Sequence, residues 1–92
     1  MNEVNNLLGQ QVKLAENTVS DLQQAAEQAR LAYKHDMAIA GYNQALDLLY
    51  ANAHPVDTVM EYNLLAGRAA CHGQLGDLQA QAADLDAMIA LA

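Results

Sequence analysis

Arg68-Ala69-Ala70-Cys71-His72-Gly73-Gln74-Leu75-Gly76-Asp77 is the stretch whose reading decides the fold. Its small residues, Ala69, Ala70 and Gly73 with Ala66 just before, give a helix one face that a neighbour can approach closely. Leu75-Gly76-Asp77 then supplies a stop and a restart. Glycine suits the left-handed residue that closes a helix, and Asp77 suits the N-cap of the next. A second apolar period follows in Leu78, Ala82, Leu85 and Ile89. Helix, tight turn, helix is the unit against which the remainder of the chain can be compared.

Composition agrees with a helical chain. Ninety-two residues suit one domain near the lower size limit for an independent core. The chain is 53% hydrophobic, but much of that is alanine, and Phe and Trp are absent. Such helices pack closely yet bury little area per residue, so modest stability is expected. One Pro and five Gly leave few breaks, and the β-branched residues are too scattered for strands.

The formal charge is −7, and the four cations, Lys13, Arg30, Lys34 and Arg68, are dispersed. Binding nucleic acid or an anionic membrane needs clustered cations, so neither is expected. A single cysteine, Cys71, excludes an internal disulfide and fits a reducing compartment. The N-terminus has no basic region followed by an apolar run, and no apolar stretch reaches membrane-spanning length. A cytoplasmic protein is the expectation.

Upstream of the opening stretch, a helix is predicted from about Val56 or Asp57 to Gln74, carrying Val59, Tyr62, Leu65, Ala69 and His72. Asn52 to Pro55 reads as a loop, because proline disfavours helix at the residue before it. An earlier helix, with Asp36 as its N-cap, runs to about Ala51. It sets Ile39, Tyr42, Leu46 and Leu49 on one face, with Ala38 and Ala45 beside them. Before it, Val19, Leu22, Ala26, Ala29 and Tyr33 continue in phase from Val4, Leu8, Val12 and Ala15. Two readings stand. One helix spans about 3–32, or a new helix starts near Val19 behind a capping box of Thr18 and Asp21.

Sliding the chain by 43 residues superposes the two halves. Leu22 falls on Leu65, Ala26 on Ala69, Ala29 on His72, Tyr33 on Gly76, Tyr42 on Leu85, Ala45 on Met88 and Leu46 on Ile89. Size and phase match, though identity does not.

These residues resemble the tetratricopeptide repeat. Leu65, Arg68-Ala69, His72, Gly76-Asp77 and Leu85 stand at the motif's positions in the second unit. Leu22, Ala25-Ala26, Ala29, Ala38, Tyr42 and Ala45 stand there in the first. The chain departs from the motif at Tyr33, where a turn glycine is expected, and at Gln81 and Met88, where alanines are expected. The link from Tyr50 to Tyr62 is also longer than the 34-residue period allows. The resemblance implies an all-α fold of antiparallel helical hairpins, a right-handed array of four helices plus an N-terminal extension. Its parts would be an extension over 1–18, a first repeat over 19–51, a linker over 52–58 and a second repeat over 59–92.

Members of that family commonly bind an extended peptide in the groove lined by the first helices. Carried onto this chain, the groove would comprise Ser20, Gln23, Glu27 and Arg30 with Asn63, Ala66, Ala70 and Gln74. The cationic clamp that some members use for a peptide carboxylate is missing. The expected ligand is therefore not an acidic C-terminal peptide, but a polar, neutral or basic segment or another helix. Self-association is expected through Val4, Leu8 and Val12 and through Leu78, Leu85 and Ile89, since no further polar helix closes the array.

Residues capable of chemistry read mostly as structure. Cys71, His72, His35, His54 and Asp36 form the only metal-like set, and Cys71 and His72 project about 100° apart on a helix, which prevents joint chelation or a thiol–imidazole pair. Asp77, Asp84 and Asp86 read as a solvated face, and Tyr33, Tyr42, Tyr50 and Tyr62 as core and inter-helix packing. No cofactor or metal is expected. The leading expectation is a non-catalytic protein–protein interaction module. The alternatives are a closed helical bundle serving as a structural or regulatory subunit, and a small metal or thiol protein built on Cys71 and the histidines.

Overall fold

A computed structural model describes residues 19–52 and 55–92. Their regular structure is entirely helical: α1 over 19–31, α2 over His35–Asn52, α3 over Thr58–Gln74 and α4 over Leu78–Leu91. The choice between one helix and two over residues 3–32, and the Thr18 half of the capping box, lie outside the described residues.

The two hairpin turns close their first helices with the same pair of backbone bonds. At the end of α1 the Tyr33 N–H donates to the Arg30 carbonyl and the Lys34 N–H to the Ala29 carbonyl, at 3.0 and 2.8 Å. At the end of α3 the Gly76 N–H donates to the Gly73 carbonyl and the Asp77 N–H to the His72 carbonyl, at 3.1 and 2.9 Å. Both are Schellman closures, which require a left-handed residue. Gly76 meets that requirement with φ 78°, and Tyr33 takes φ 62° at the equivalent place. The first α2 bond, Ala38 N–H to the Lys34 carbonyl, matches Gln81 N–H to the Asp77 carbonyl. Lys34, not Asp36, therefore stands at the N-cap of α2, and Asp36 falls in the first turn, where its charge favours the helix N-terminus. Asp57 caps α3 through Val59 and Met60, and Asp77 caps α4 through Ala80, the latter as its sequence position predicts.

The helices run antiparallel in chain order. Ala26 of α1 lies against Gly41 of α2, whose added Cβ would come within 2.9 Å of the Ala26 Cβ. Tyr42 of α2 meets Gly67 of α3, where a Cβ would overlap the phenol ring. Gly73 of α3 meets the Gln81 side chain of α4. Such close approaches let helices with few bulky side chains bury one another. The core comprises Ala26, Ala38, Tyr42, Ala45, Leu46 and Leu49 with Leu64, Leu65, Ala69 and Cys71. The α3 face is rotated from the predicted stripe: Val59 is 69% exposed, and Leu64 and Cys71 are buried in its place. Alpha-4 packs on α3 and makes no contact with α2.

Candidate interaction surfaces

Three polar and apolar arrangements could serve function. The first is an ion pair across the second hairpin. The Arg68 guanidinium donates to both oxygens of Asp84, from Nε at 2.9 Å and from Nη2 at 2.6 Å, and from Nη1 to Asn43 Oδ1 at 2.8 Å. His72 Nε2 lies 3.8 Å from the same carboxylate. Asp84 is 4% exposed and is the buried residue of α4. The reading of Asp77, Asp84 and Asp86 as one solvated face therefore fails at Asp84. Arg68 sits four residues before His72, so one helical face of α3 turns both cation-capable side chains toward α4. The bond to Asp84 outweighs burial and holds the guanidinium above its ordinary proton affinity.

The second arrangement ties α1 to α2. The Tyr42 hydroxyl donates to Glu27 at 2.5 Å, and Arg30 donates to the other Glu27 oxygen at 2.5 Å. Burial pushes the Glu27 carboxyl up, but the bonds from Tyr42 and Arg30, with the Arg30 charge, together hold it below its ordinary value. Burial, then the bond to Glu27, raises the Tyr42 phenol. On α2 and α3, Tyr50 donates to Glu61 at 2.7 Å, and burial with that bond pushes its phenol up to about 12. Of the four tyrosines expected in core and inter-helix packing, Tyr42 is in the core and Tyr50 bridges α2 to α3 from an exposed position, while Tyr33 is 84% exposed and Tyr62 is exposed too. The Tyr42 and Tyr50 hydroxyls are satisfied by carboxylates.

Of the eight predicted groove residues, the structure brings Arg30, Ala70 and Gln74 to one shallow hollow of about 220 Å³, completed by Leu31, Tyr33 and His35. Ser20, Gln23, Glu27, Asn63 and Ala66 do not line it. Ser20 and Asn63 are exposed, Gln23 and Ala66 are half-buried, and Glu27 is held by Tyr42 and Arg30. Ala70, expected to pack between helices, is exposed and forms one wall of the hollow.

The third arrangement is apolar. Alpha-4 turns Leu78, Leu85 and Ile89 outward, at 68%, 44% and 71% exposure. Tyr62, Leu85, Met88, Ile89 and Ala92 line a shallow hollow of about 300 Å³ there, with little polar surface. The self-association residues Val4, Leu8 and Val12 lie outside the described residues.

No family model, curated protein or solved structure matches this chain. The surfaces therefore have to be read from their own chemistry. Cys71 is buried, and burial raises its thiol above the ordinary value, which is the condition of an unreactive cysteine. Among the described residues no group of three or more His, Cys, Asp and Glu could hold a metal ion. No helix among them is long and apolar enough to cross a membrane. The Arg68–Asp84 pair is the feature that sequence reading missed. Its signal was a lone cation on α3 facing an acidic residue on α4 across the hairpin, and only the register of the turn brings them together.

Proposed function

We propose that this chain is a non-catalytic protein–protein interaction module of the tetratricopeptide-repeat kind, binding a helix or peptide of a partner, or another copy of itself, through its repeat faces. The observation that carries this reading is the exposed face of α4, where Leu78, Leu85 and Ile89 face solvent on a helix whose buried residue is an aspartate. An apolar stripe of this kind on a small domain is an association surface. The hollow beside Arg30, Ala70 and Gln74 offers a second, more polar face for a neutral or basic segment. Two hairpins closed by the same hydrogen bonds support the repeat reading. A reducing, cytoplasmic setting fits the lone buried thiol.

Sedimentation of the full chain from low to high micromolar concentration tests self-association. A mass that rises to the dimer is the expected result. A monomer throughout removes it, and leaves the polar hollow as the face to test against peptides.

A further inference from the structure

The occupant of the α4 face can be read from the chain itself, on the premise that the chain self-associates. Under the internal repeat, Tyr42, Ala45, Leu46 and Leu49 of α2 correspond to Leu85, Met88, Ile89 and Ala92 of α4. The α2 set is buried, packed in the core with α3. The α4 set lines the open hollow with Tyr62. The face of α4 is thus the face of α2 without its α3, and it calls for a helix patterned like α3.

That pattern occurs once more in the sequence. Aligning Asn6-Leu7-Leu8 with Asn63-Leu64-Leu65 sets Leu7, Leu8, Val12 and Leu14 at the places of Leu64, Leu65, Ala69 and Cys71, all buried in α3. It sets Asn5, Asn6, Lys13 and Asn17 at the places of Tyr62, Asn63, Ala70 and Gln74, all exposed. Gln10 falls at the place of buried Gly67. Gly67 is needed because a Cβ would strike the far end of the Tyr42 ring, at Cζ, Cε1 and the hydroxyl. The counterpart of Tyr42 on α4 is Leu85, which lacks those atoms, so glycine is no longer required there.

We infer that residues 5–17 of a second copy dock on α4 as α3 docks on α2, in a reciprocal exchange that closes a two-fold dimer. The chain's own segment cannot do this. Tyr50 meets Glu61 and Tyr42 meets Gly67, so α3 is antiparallel to α2, and a segment docked likewise ends beside Leu78, at the start of α4. Alternating antiparallel order instead puts the start of α1 at the far end of α4, roughly 20 Å away along its axis. Only Thr18 separates Asn17 from residue 19, and two Cα steps reach about 7.6 Å.

The full chain and two variants, Leu8→Asp and Ile89→Asp, test this by sedimentation at matched concentrations, with helicity read by circular dichroism. The wild type is expected as a dimer. Each variant is expected to stay helical and to dimerise about a hundredfold more weakly, because each places a charge in an apolar contact. An equimolar mixture of the two variants is expected to form a heterodimer, since Ile89→Asp supplies an intact segment to the intact α4 face of Leu8→Asp. Val12→Asp is run beside Leu8→Asp, so that loss of helicity in one leaves the other to read the same contact. A dimer that persists in Leu8→Asp and Val12→Asp overturns the exchange and leaves α4-to-α4 pairing standing. A dimer that persists in Ile89→Asp removes the α4 face from the interface. Folded, monomeric variants that fail to associate when mixed also overturn the exchange, and a monomeric wild type removes self-association altogether.

Discussion

Arg68 holds Asp84 by two parallel hydrogen bonds, 2.9 and 2.6 Å long, from α3 to α4, while a third donor of the same guanidinium reaches Asn43 on α2. One side chain thereby fixes the register of three helices. The carboxylate is nearly sealed from water and the guanidinium is partly open, with side-chain exposures of 6% and 24%.

Removing one partner of this pair strands the other. Asp84→Ala is expected to lower the unfolding free energy by about 2–4 kcal/mol, and Arg68→Met by a similar amount. The double variant Arg68→Met with Asp84→Ala should cost less than the sum of the two losses, because no uncompensated charge remains. Urea unfolding of the four proteins measures this cycle. Additive losses would show that the pair contributes no coupling.

Gly67 and Tyr42 form a size-matched contact. Gly67→Ala is expected to destabilise by about 1–3 kcal/mol through overpacking, against the usual gain of replacing a helical glycine by alanine. Trimming the ring with Tyr42→Leu should make the same Gly67→Ala change neutral or stabilising. Thermal melts of the two backgrounds decide it, and an equal penalty in both would place the cost elsewhere.

Tyr33 holds a backbone that suits glycine. With φ 62° and 84% exposure, its side chain gains little packing for the strain. Tyr33→Gly is expected to stabilise the first hairpin by up to about 1 kcal/mol, raising Tm by roughly 4–8 °C. A lower Tm would mean that the edge contact of the Tyr33 ring with His35, centroids 6.4 Å apart, outweighs the strain.

Glu27 links pH to stability. Its carboxyl binds a proton less readily in the fold than in the unfolded chain, so its contribution is fully present above the unfolded value. That contribution is lost as pH falls through the depressed folded value. Chemical unfolding at neutral and acid pH should show a loss of about 1 kcal/mol, kept small because the pair with Arg30 is one-third open to solvent. Glu27→Gln should be less stable than the wild type at neutral pH by about that amount, and its acid-range slope should be flatter. An unchanged slope would assign it to other carboxylates.

Periodicity located α2, α3 and α4 to within a residue or two, because apolar spacing, Asp77, Gly76 and Pro55 act over a few residues of chain. Asp84 was misread because it is spaced with Asp77 and Asp86 as one polar face, whereas α4 is turned so that Asp84 points inward and Leu78, Leu85 and Ile89 point outward. A lone helix cannot tell which face is buried when one face binds a partner and the other carries an ion pair. Tyrosine carries no turn signal of its own, yet the repeat puts Tyr33 where a turn glycine is expected, and there it takes the left-handed φ of 62°. The matching turn in the second half, with its glycine, marks the position once the repeat is laid over itself.

The sequence by itself determined the helical class, the two equivalent hairpins and the capping of α4. These rest on backbone hydrogen bonding and local spacing, which neighbouring residues specify. Only the tertiary structure decided that Tyr42 reaches Glu27 and is seated on Gly67, that Arg68 spans three helices to Asp84, and that Ala70 opens a hollow with Arg30 and Gln74. Those contacts depend on how far each helix is rotated about its axis. That rotation is set by the fit of small residues against large ones between helices, a property of pairs distant in the chain.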